Sequence, residues 1–501
     1  MRVPLVLLFL VSVVNLRAAE PKRDPAKPIS YYRDIRPIFQ AQCQGCHQPA
    51  KAKGGYVMTD FAKLLAGGES VDKGEVAIVP RDPDNSLLVQ QITPVNGEAE
   101  MPVKKPPLPE HEIALVRRWI SEGASDDTPA NAKQHFDSEH PPIYSRPPLV
   151  SALDYSPDGQ LLAVAGFHEV LLHKADGSEL VARLVGLSER VQSVRFSPDG
   201  KQLAVAGGQP ARMGEVQIWD VAKRALSVSV PVTFDTVYGV SWSPDGKAVA
   251  FGCTDRNVRA IDAATGQEVL KQGSHSDWVL DTVFSTKGDH VISVSRDMSV
   301  KLTEFATQRF VDNISSITPG ALRGGIYAVA RHPQRDEILI GGADGLPQIY
   351  RVFRQTARKI GDNAALVRKL PPMEGRLYAV AYSPDGKRVA CGSSLDERGA
   401  VNICSAEFDS KLPPELGKIM EKTASTYTDE ERKKLEAYWS DGVQLLHSVA
   451  LQNGVYALAF SPDGKTVAAA GEDGMVRLIS AETGAVAKEF LPVPLKEVTT
   501  R

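Results

Sequence analysis

The tetrapeptide Ser-Pro-Asp-Gly occurs five times, at residues 156–159, 197–200, 243–246, 383–386 and 461–464. Degenerate copies stand at Ser285-Thr286-Lys287-Gly288 and His332-Pro333-Gln334-Arg335. Pro in second place and Gly in fourth fit a type I turn between antiparallel strands. An alternating apolar run such as Val191-Gln192-Ser193-Val194-Arg195-Phe196 precedes each copy, and another such as Leu203-Ala204-Val205-Ala206-Gly207 follows it. A third run comes next, as in Val216-Gln217-Ile218-Trp219-Asp220 or Met475-Val476-Arg477-Leu478-Ile479. Between the second and third runs an Asp recurs, at Asp255, Asp297, Asp344 and Asp473. With a fourth strand the unit is a small antiparallel sheet, repeated mostly every ~40–50 residues. Such a sheet cannot bury both faces alone, so the copies are expected to close into a ring.

Spacing and turn chemistry together resemble the WD-repeat family. The resemblance implies an all-β, seven-bladed propeller over residues 148–492. Only Trp219-Asp220 keeps the signature dipeptide, so the relation is divergent. Gly273-Ser274-His275, with Asp277 and Trp278, is the best Gly-His-like element, and it is expected to brace one blade by hydrogen bonds rather than to catalyse. Residues 406–441 interrupt the sixth blade between its third and fourth strands. Within them Thr428-Asp429-Glu430-Glu431 is a capping box that opens a charged helix, Glu430 to Trp439. Tyr438 and Trp439 are the residues there to watch for a contact.

A different chemistry precedes the repeats. Cys43-Gln44-Gly45-Cys46-His47 spells C-x-x-C-H. Two thiols three apart on one helical turn can each add to a vinyl group of one haem, and the adjoining imidazole can ligate the iron. A closed zinc site would want a second Cys/His pair nearby, and a thioredoxin-like dithiol a preceding strand; neither pattern is present. Ser30 to Cys46 reads as a helix, with Ile35, Ile38 and Phe39 on one face and Pro37 tolerable near the first turn. Leu108 to Gly123 reads as a second helix with Pro109 first, Glu110 and Glu112 at its positive start, and Leu115, Val116, Trp119 and Ile120 buried. Met101, 54 positions after His47, is the preferred sixth ligand, since a thioether suits low-spin haem iron. Met58 and His111 are the alternatives, more readily read as a packing residue and a solvated helix residue. The Pro-rich stretch 125–147 reads as a linker.

Residues 30–124 resemble the Planctomycete-type cytochrome c domain. The likeness runs through Ile38-Phe39, the C-x-x-C-H, Lys53-Gly54-Gly55-Tyr56, Leu64-Leu65-Ala66-Gly67-Gly68, Val79-Pro80-Arg81-Asp82-Pro83-Asp84-Asn85-Ser86-Leu87-Leu88, Met101-Pro102, and Glu112-Ile113 to Trp119-Ile120-Ser121-Glu122-Gly123-Ala124. It implies a small all-α, class I cytochrome c-like domain over residues 28–124. One haem c is implied on Cys43 and Cys46, with His47 proximal and Met101 distal. The sequence departs from the family's Met-Pro-Pro at Met101-Pro102-Val103-Lys104-Lys105-Pro106-Pro107.

Met1 to Ala19 has a secretory leader's shape: Arg2, then an apolar run from Pro4 to Val14, then Ala18 and Ala19. No later segment is apolar enough to cross a bilayer. The mature chain is therefore expected outside the cytoplasm, in the periplasm or beyond. A net charge of -3 over 501 residues gives no pointer to nucleic acid. Beyond the motif, Cys253, Cys391 and Cys404 remain; Cys391 and Cys404 fall on neighbouring strands and could pair, but buried free thiols are the preferred reading. Together these features point to an exported one-electron carrier whose propeller docks a redox partner protein, or a protein or polymer ligand. The alternative is a haem-linked redox enzyme whose propeller holds a substrate or second cofactor. A scaffold with a structural or sensing haem is a weaker third reading. No nucleophile signature or defensible carboxylate pair supports catalysis, and no catalytic residue is assigned.

Overall fold

The computed structural model describes residues 27–49, 51–103, 105–129, 136–315, 323–357 and 362–496. The expected leader, and Lys104 of the Met101 loop, lie outside the described residues.

The N-terminal module is built on two packed helical segments. Ser30 caps the first by accepting the Arg33 N–H (3.0 Å). A π-helical turn, Tyr31–Ile35, runs directly into α1, Arg36–Gln42. Pro37 explains the widened turn: its ring would clash with the Arg33 carbonyl in a regular α-turn, and it has no N–H to donate. The helix stops at Gln42, so both thiols sit on the turn that follows. Cys43 O accepts the N–H of Cys46 (3.1 Å) and of His47 (3.2 Å). Two further short helices escaped the sequence pattern: α2, Phe61–Ala66, capped by Asp60, and α3, Leu87–Ile92. The last helix, α4, spans Glu110–Ser121 and starts just after Pro109, which is its N-cap rather than its first residue. It buries Ile113, Val116, Trp119 and Ile120, with Leu115 only half-buried. Trp119 centres this core, with ring centroids 5.5 Å from Tyr31, 6.3 Å from Phe39 and 6.2 Å from Phe61. The module is not purely helical, because His47–Gln48 pairs with Lys51–Ala52 in a minimal hairpin.

The rest is mostly β. Five four-stranded antiparallel sheets cover residues 237–272, 279–313, 326–369, 376–451 and 455–490, and one seven-stranded sheet covers 153–233. In the latter, the 17-residue strand Leu180–Phe196 pairs through its first half with Phe167–Lys174 and through its second with Gln202–Gln209. The sheets follow one another in chain order, as in a WD-repeat propeller.

The Ser-Pro-Asp-Gly turns are locally over-determined. In the first, Ser156 Oγ donates to Asp158 Oδ1 (2.5 Å) and accepts the Leu161 N–H (2.9 Å), while Asp158 Oδ1 accepts the Gln160 N–H (3.0 Å). The other four copies repeat these bonds. Gly occupies the fourth place because φ there is near +70°, which residues with a Cβ adopt only at a cost. The same glycines meet the neighbouring turn: Gly200 lies against Pro157, Gly246 against Pro198, Gly288 against Pro244, Gly386 against His332 and Gly464 against Pro384. Thr286 bonds Asp336 across the degenerate copies, and Gly159 lies against Pro462 of the last sheet. The turns thus touch one another around a circuit that returns to its start.

The stretch read as a linker ends in fixed contacts. Arg183 donates to Pro142 O and to both oxygens of Glu169, and Tyr144 Oη donates to Glu169 Oε1 (2.7 Å). Tyr144 also pairs in parallel with Leu495 near the other end of the chain. Between strands Arg398–Ser405 and Gln444–Leu451 lie α5, Pro414–Met420, which the sequence pattern did not suggest, and α6, Asp429–Ser440, with the Thr428/Glu431 capping box formed. The Arg368 guanidinium sits between the rings of Phe408 and Tyr438, 4.7 and 4.5 Å from their centroids. Tyr438 and Trp439 therefore fasten the helix to strand Leu366–Lys369 rather than project from it.

Candidate functional site

The C-x-x-C-H turn lies on the Trp119 core. Cys43 and Met101 both pack, half-buried, against the same apolar cluster. Burial pushes the Cys43 thiol up to about 12, so at neutral pH it is protonated and apolar in character. All five cysteines are free, including Cys391 and Cys404. The latter two face Asn402 and Val389 across their strand pair rather than each other. His47 stands edge-on to Tyr56, with ring centroids 5.5 Å apart. Burial holds its imidazole below the ordinary histidine value, which favours the neutral form that ligates metals. Its Nδ1 is buried without a hydrogen-bond partner.

Two clamps hold the turn. Gln44 Nε2 donates to Met58 O (3.0 Å), and the Met58 N–H donates to His47 O (2.9 Å). Met58 is 1% exposed within the apolar cluster, the place of a packing residue. The Met101 N–H is tied to Gln91 O (2.9 Å) at the end of α3. His111 is exposed on α4. The residues present fit a covalent haem: two free thiols on one turn, an imidazole with an orphaned buried nitrogen, and a thioether on the same core. Among the described residues, no cluster of three or more His, Cys, Asp and Glu side chains offers a separate metal site.

The ring has its own candidate surface. A cavity of about 390 Å3 opens at its centre, lined by Tyr238, Trp278, Tyr327, Tyr378 and Tyr456. The four tyrosines hold the same place in their inner strands, and Leu280 holds it in the strand between those of Tyr238 and Tyr327. The strand pairing slips by one residue there in each case, and such a bulge re-aims the side chain. Asp281 and Arg195 line the same cavity; Asp281 and Asp154 are both pushed up to about 6 by burial against the opposing pull of Arg195. Nearby, His275 bonds Asp297 (2.9 Å) and Ser293 (2.8 Å), and Ser299 donates to Asp297 (2.6 Å). The brace expected around His275 is therefore built with Asp297 rather than Asp277.

Asp154 and Asp281 give a pH prediction. Their values in the fold exceed the ordinary 3.8, so their contribution to stability is complete below pH 3.8 and is lost as pH rises through 6. Asp281→Asn removes that loss at one site. Its stability relative to the parent should therefore rise by roughly 2–3 kcal/mol between pH 4 and pH 7. The carboxylate also accepts the Val329 N–H (3.0 Å), so the variant carries a constant penalty, and the diagnostic quantity is the slope. Parallel stability–pH curves from denaturant unfolding would contradict the assignment.

Comparison with known proteins gives two kinds of match. Residues 43–104 match the family Planctomycete cytochrome C. Residues 444–480 match the WD domain, G-beta repeat, and residues 211–287 the Anaphase-promoting complex subunit 4 WD40 domain. Among curated proteins the chain is similar to Eukaryotic translation initiation factor 3 subunit I of Drosophila pseudoobscura pseudoobscura, 22% identical over 196 residues, 38% of this chain and 57% of that protein. The protein of the same description from Danio rerio is 24% identical over 185 residues, 35% of this chain and 53% of that one. The chain thus spans little more than half the length of these relatives.

Proposed function

From a chain that joins a Planctomycete-type cytochrome c segment to WD repeats, we propose an exported c-type cytochrome that transfers single electrons, with the repeats as its docking platform. The observation that carries this reading is that Cys43 and Met101 pack on one apolar core, with His47 set against Tyr56 of that same core. Cys43 and Cys46 would hold one haem covalently, and His47 and Met101 would ligate its iron. When bound, haem supplies a reversible one-electron couple. The chain's own part is to exclude water through the Trp119 core, to keep His47 neutral, and to fix its backbone through Met58. The leader-like Met1–Ala19 supports a place outside the cytoplasm, where such thioethers are made.

We read the ring as seven blades, counting Leu180–Phe196 as the outer strand of one blade and the inner strand of the next. The circuit of turn contacts supports that count. The aromatic mouth is the surface on which a protein partner would dock, in keeping with the WD-repeat matches.

A haem stain and absorption spectrum of the exported protein test the reading; a low-spin, six-coordinate c-type spectrum is expected. Met101→Ala should lower the reduction potential and let cyanide bind the ferric protein within mixing time. An unaltered spectrum in that variant would reject Met101 as ligand.

A further inference from the structure

The turn that carries Cys43, Cys46 and His47 is not a free surface loop. Its outer side lies directly on strand Ala225–Thr233 of the second blade. Gly45 is the point of closest approach: a Cβ there would stand 2.6 Å from Ser229 O and 3.1 Å from Pro231 Cδ. Only the missing side chain lets the two backbones meet. A second contact lies beside it, where Arg212, from the turn before strand Met213–Asp220, stands over the Tyr32 ring at 5.5 Å.

Across this seam runs a buried chain of hydrogen bonds. Gln48, the residue after His47, donates from Nε2 to Gln44 O (3.0 Å) and to Ser229 Oγ (3.1 Å). Ser229 Oγ donates to Glu215 Oε2 (2.9 Å). Glu215 Oε1 accepts from Ser188 Oγ (2.8 Å) and from Gln217 Nε2 (2.6 Å). Gln217 Oε1 in turn accepts from the Trp219 indole N–H (2.8 Å). Gln48, Ser229, Glu215, Ser188, Gln217 and Trp219 are all buried.

Two features single this chain out. Glu215 is 1% exposed, and all its hydrogen bonds come from neutral donors. Burial raises its pKa toward the neutral form, and a polar group withdrawn from water costs free energy wherever a bond is left unmade, so its bonds to Ser229, Ser188 and Gln217 are each needed. Gln48 Oε1 is also buried without a partner, so Nε2 alone anchors this side chain, and it reaches from the far side of the turn to the near side. Through Gln48 and the Gln44 carbonyl, Glu215 and Ser229 thus hold both ends of the segment that carries Cys46 and His47.

We infer that the second blade is part of the haem site, with Ser229 and Glu215 as positioning residues that set the orientation of His47 through Gln48. The inference rests on the cytochrome reading above and goes beyond it: the ring is a wall of the redox centre as well as a docking platform. Partners that orient a ligating imidazole tune the metal's potential without touching it.

The test uses the full-length holoprotein made in a host competent for c-type maturation. The variants are Ser229→Ala, Glu215→Gln and their combination, with Ser241→Ala as a matched control. Ser241 is a buried serine bonded to Thr282 (2.9 Å), in a different blade and away from the seam. The readouts are the ferric-to-ferrous ratio at a fixed electrode potential and the ferric electron paramagnetic resonance spectrum, which reports axial imidazole orientation. Ser229→Ala and Glu215→Gln should each change the ratio about threefold, equivalent to about 28 mV for a one-electron couple, and move the resonance positions. The double variant should shift little more than either single one, because both break one chain. Ser241→Ala should leave both readouts at the parent values. Parent-like values in Ser229→Ala and Glu215→Gln would overturn the inference, as would an equal shift in Ser241→Ala. If Glu215→Gln does not fold, Ser229→Ala against Ser241→Ala decides alone. A parent protein without haem would instead sink the underlying cytochrome reading.

Discussion

Exported protein carrying Cys43→Ala and Cys46→Ala together should show no haem stain on a denaturing gel, while the parent stains at full strength. The thioether bonds alone survive denaturation, and the other three cysteines are buried in the ring, where no imidazole follows them in sequence. Each single variant should retain a weak stain through one remaining bond. The fold should tolerate the double change. Cys43 and Cys46 are only half-buried, and the turn is closed by Cys43 O, a backbone acceptor that alanine keeps. Strong staining of the double variant would end the covalent assignment. The ring's thermal transition should be kept, which separates loss of the bonds from loss of the fold.

The second large effect concerns Trp119. Replacing it with alanine empties the place where Tyr31, Phe39 and Phe61 meet and removes the indole bond to Ser125 O (3.1 Å). Large-to-small substitutions of buried aromatics cost about 3–5 kcal/mol. A module of about one hundred residues has little more than that in reserve. The N-terminal module should therefore be largely unfolded at 37 °C and fail to retain a low-spin spectrum, while the ring, whose cores do not include Trp119, keeps its own transition. Calorimetry with parallel absorption would show one transition lost and one kept. A parent-like profile would mean that the cavity collapses without penalty.

What could be read from the sequence was what each residue decides locally. In every Ser-Pro-Asp-Gly copy, Ser, Asp and Gly each close a turn bond or supply a backbone angle within five residues, so the pattern carries its own structure. The spacing of Cys43, Cys46 and His47 likewise places them on one turn, closed by the Cys43 carbonyl. The short helices α2, α3 and α5 were not legible, because segments of six or seven residues owe their helicity to packing rather than propensity. The π-turn before α1 has no such local signature: Pro37 suits the first turn of a helix, but its clash falls on the turn before. Tyr438 and Trp439 stand out in the sequence as residues to watch for a contact, and the contacts they make hold the insertion down on Arg368 and Lys369. The seam could not be seen at all: Gln48 and Ser229 are 181 positions apart, and nothing around either one signals the other. Gly45 was the nearest clue, a glycine whose need is steric and arises outside its own module.

The pairing of Tyr144 with Leu495 has a further consequence. Strings of structural repeats usually fray from their first and last members, where one side has no neighbour. Here the incoming and outgoing segments fasten to each other. His173 reinforces the join by bonding Pro492 O (2.9 Å), as does Lys488 by bonding Asp176 O (2.8 Å). A closed hoop of this kind has no outermost member to peel away. Trimming a handful of residues before Lys496 should thus loosen the whole circle together, and with it the footing on which the N-terminal module stands.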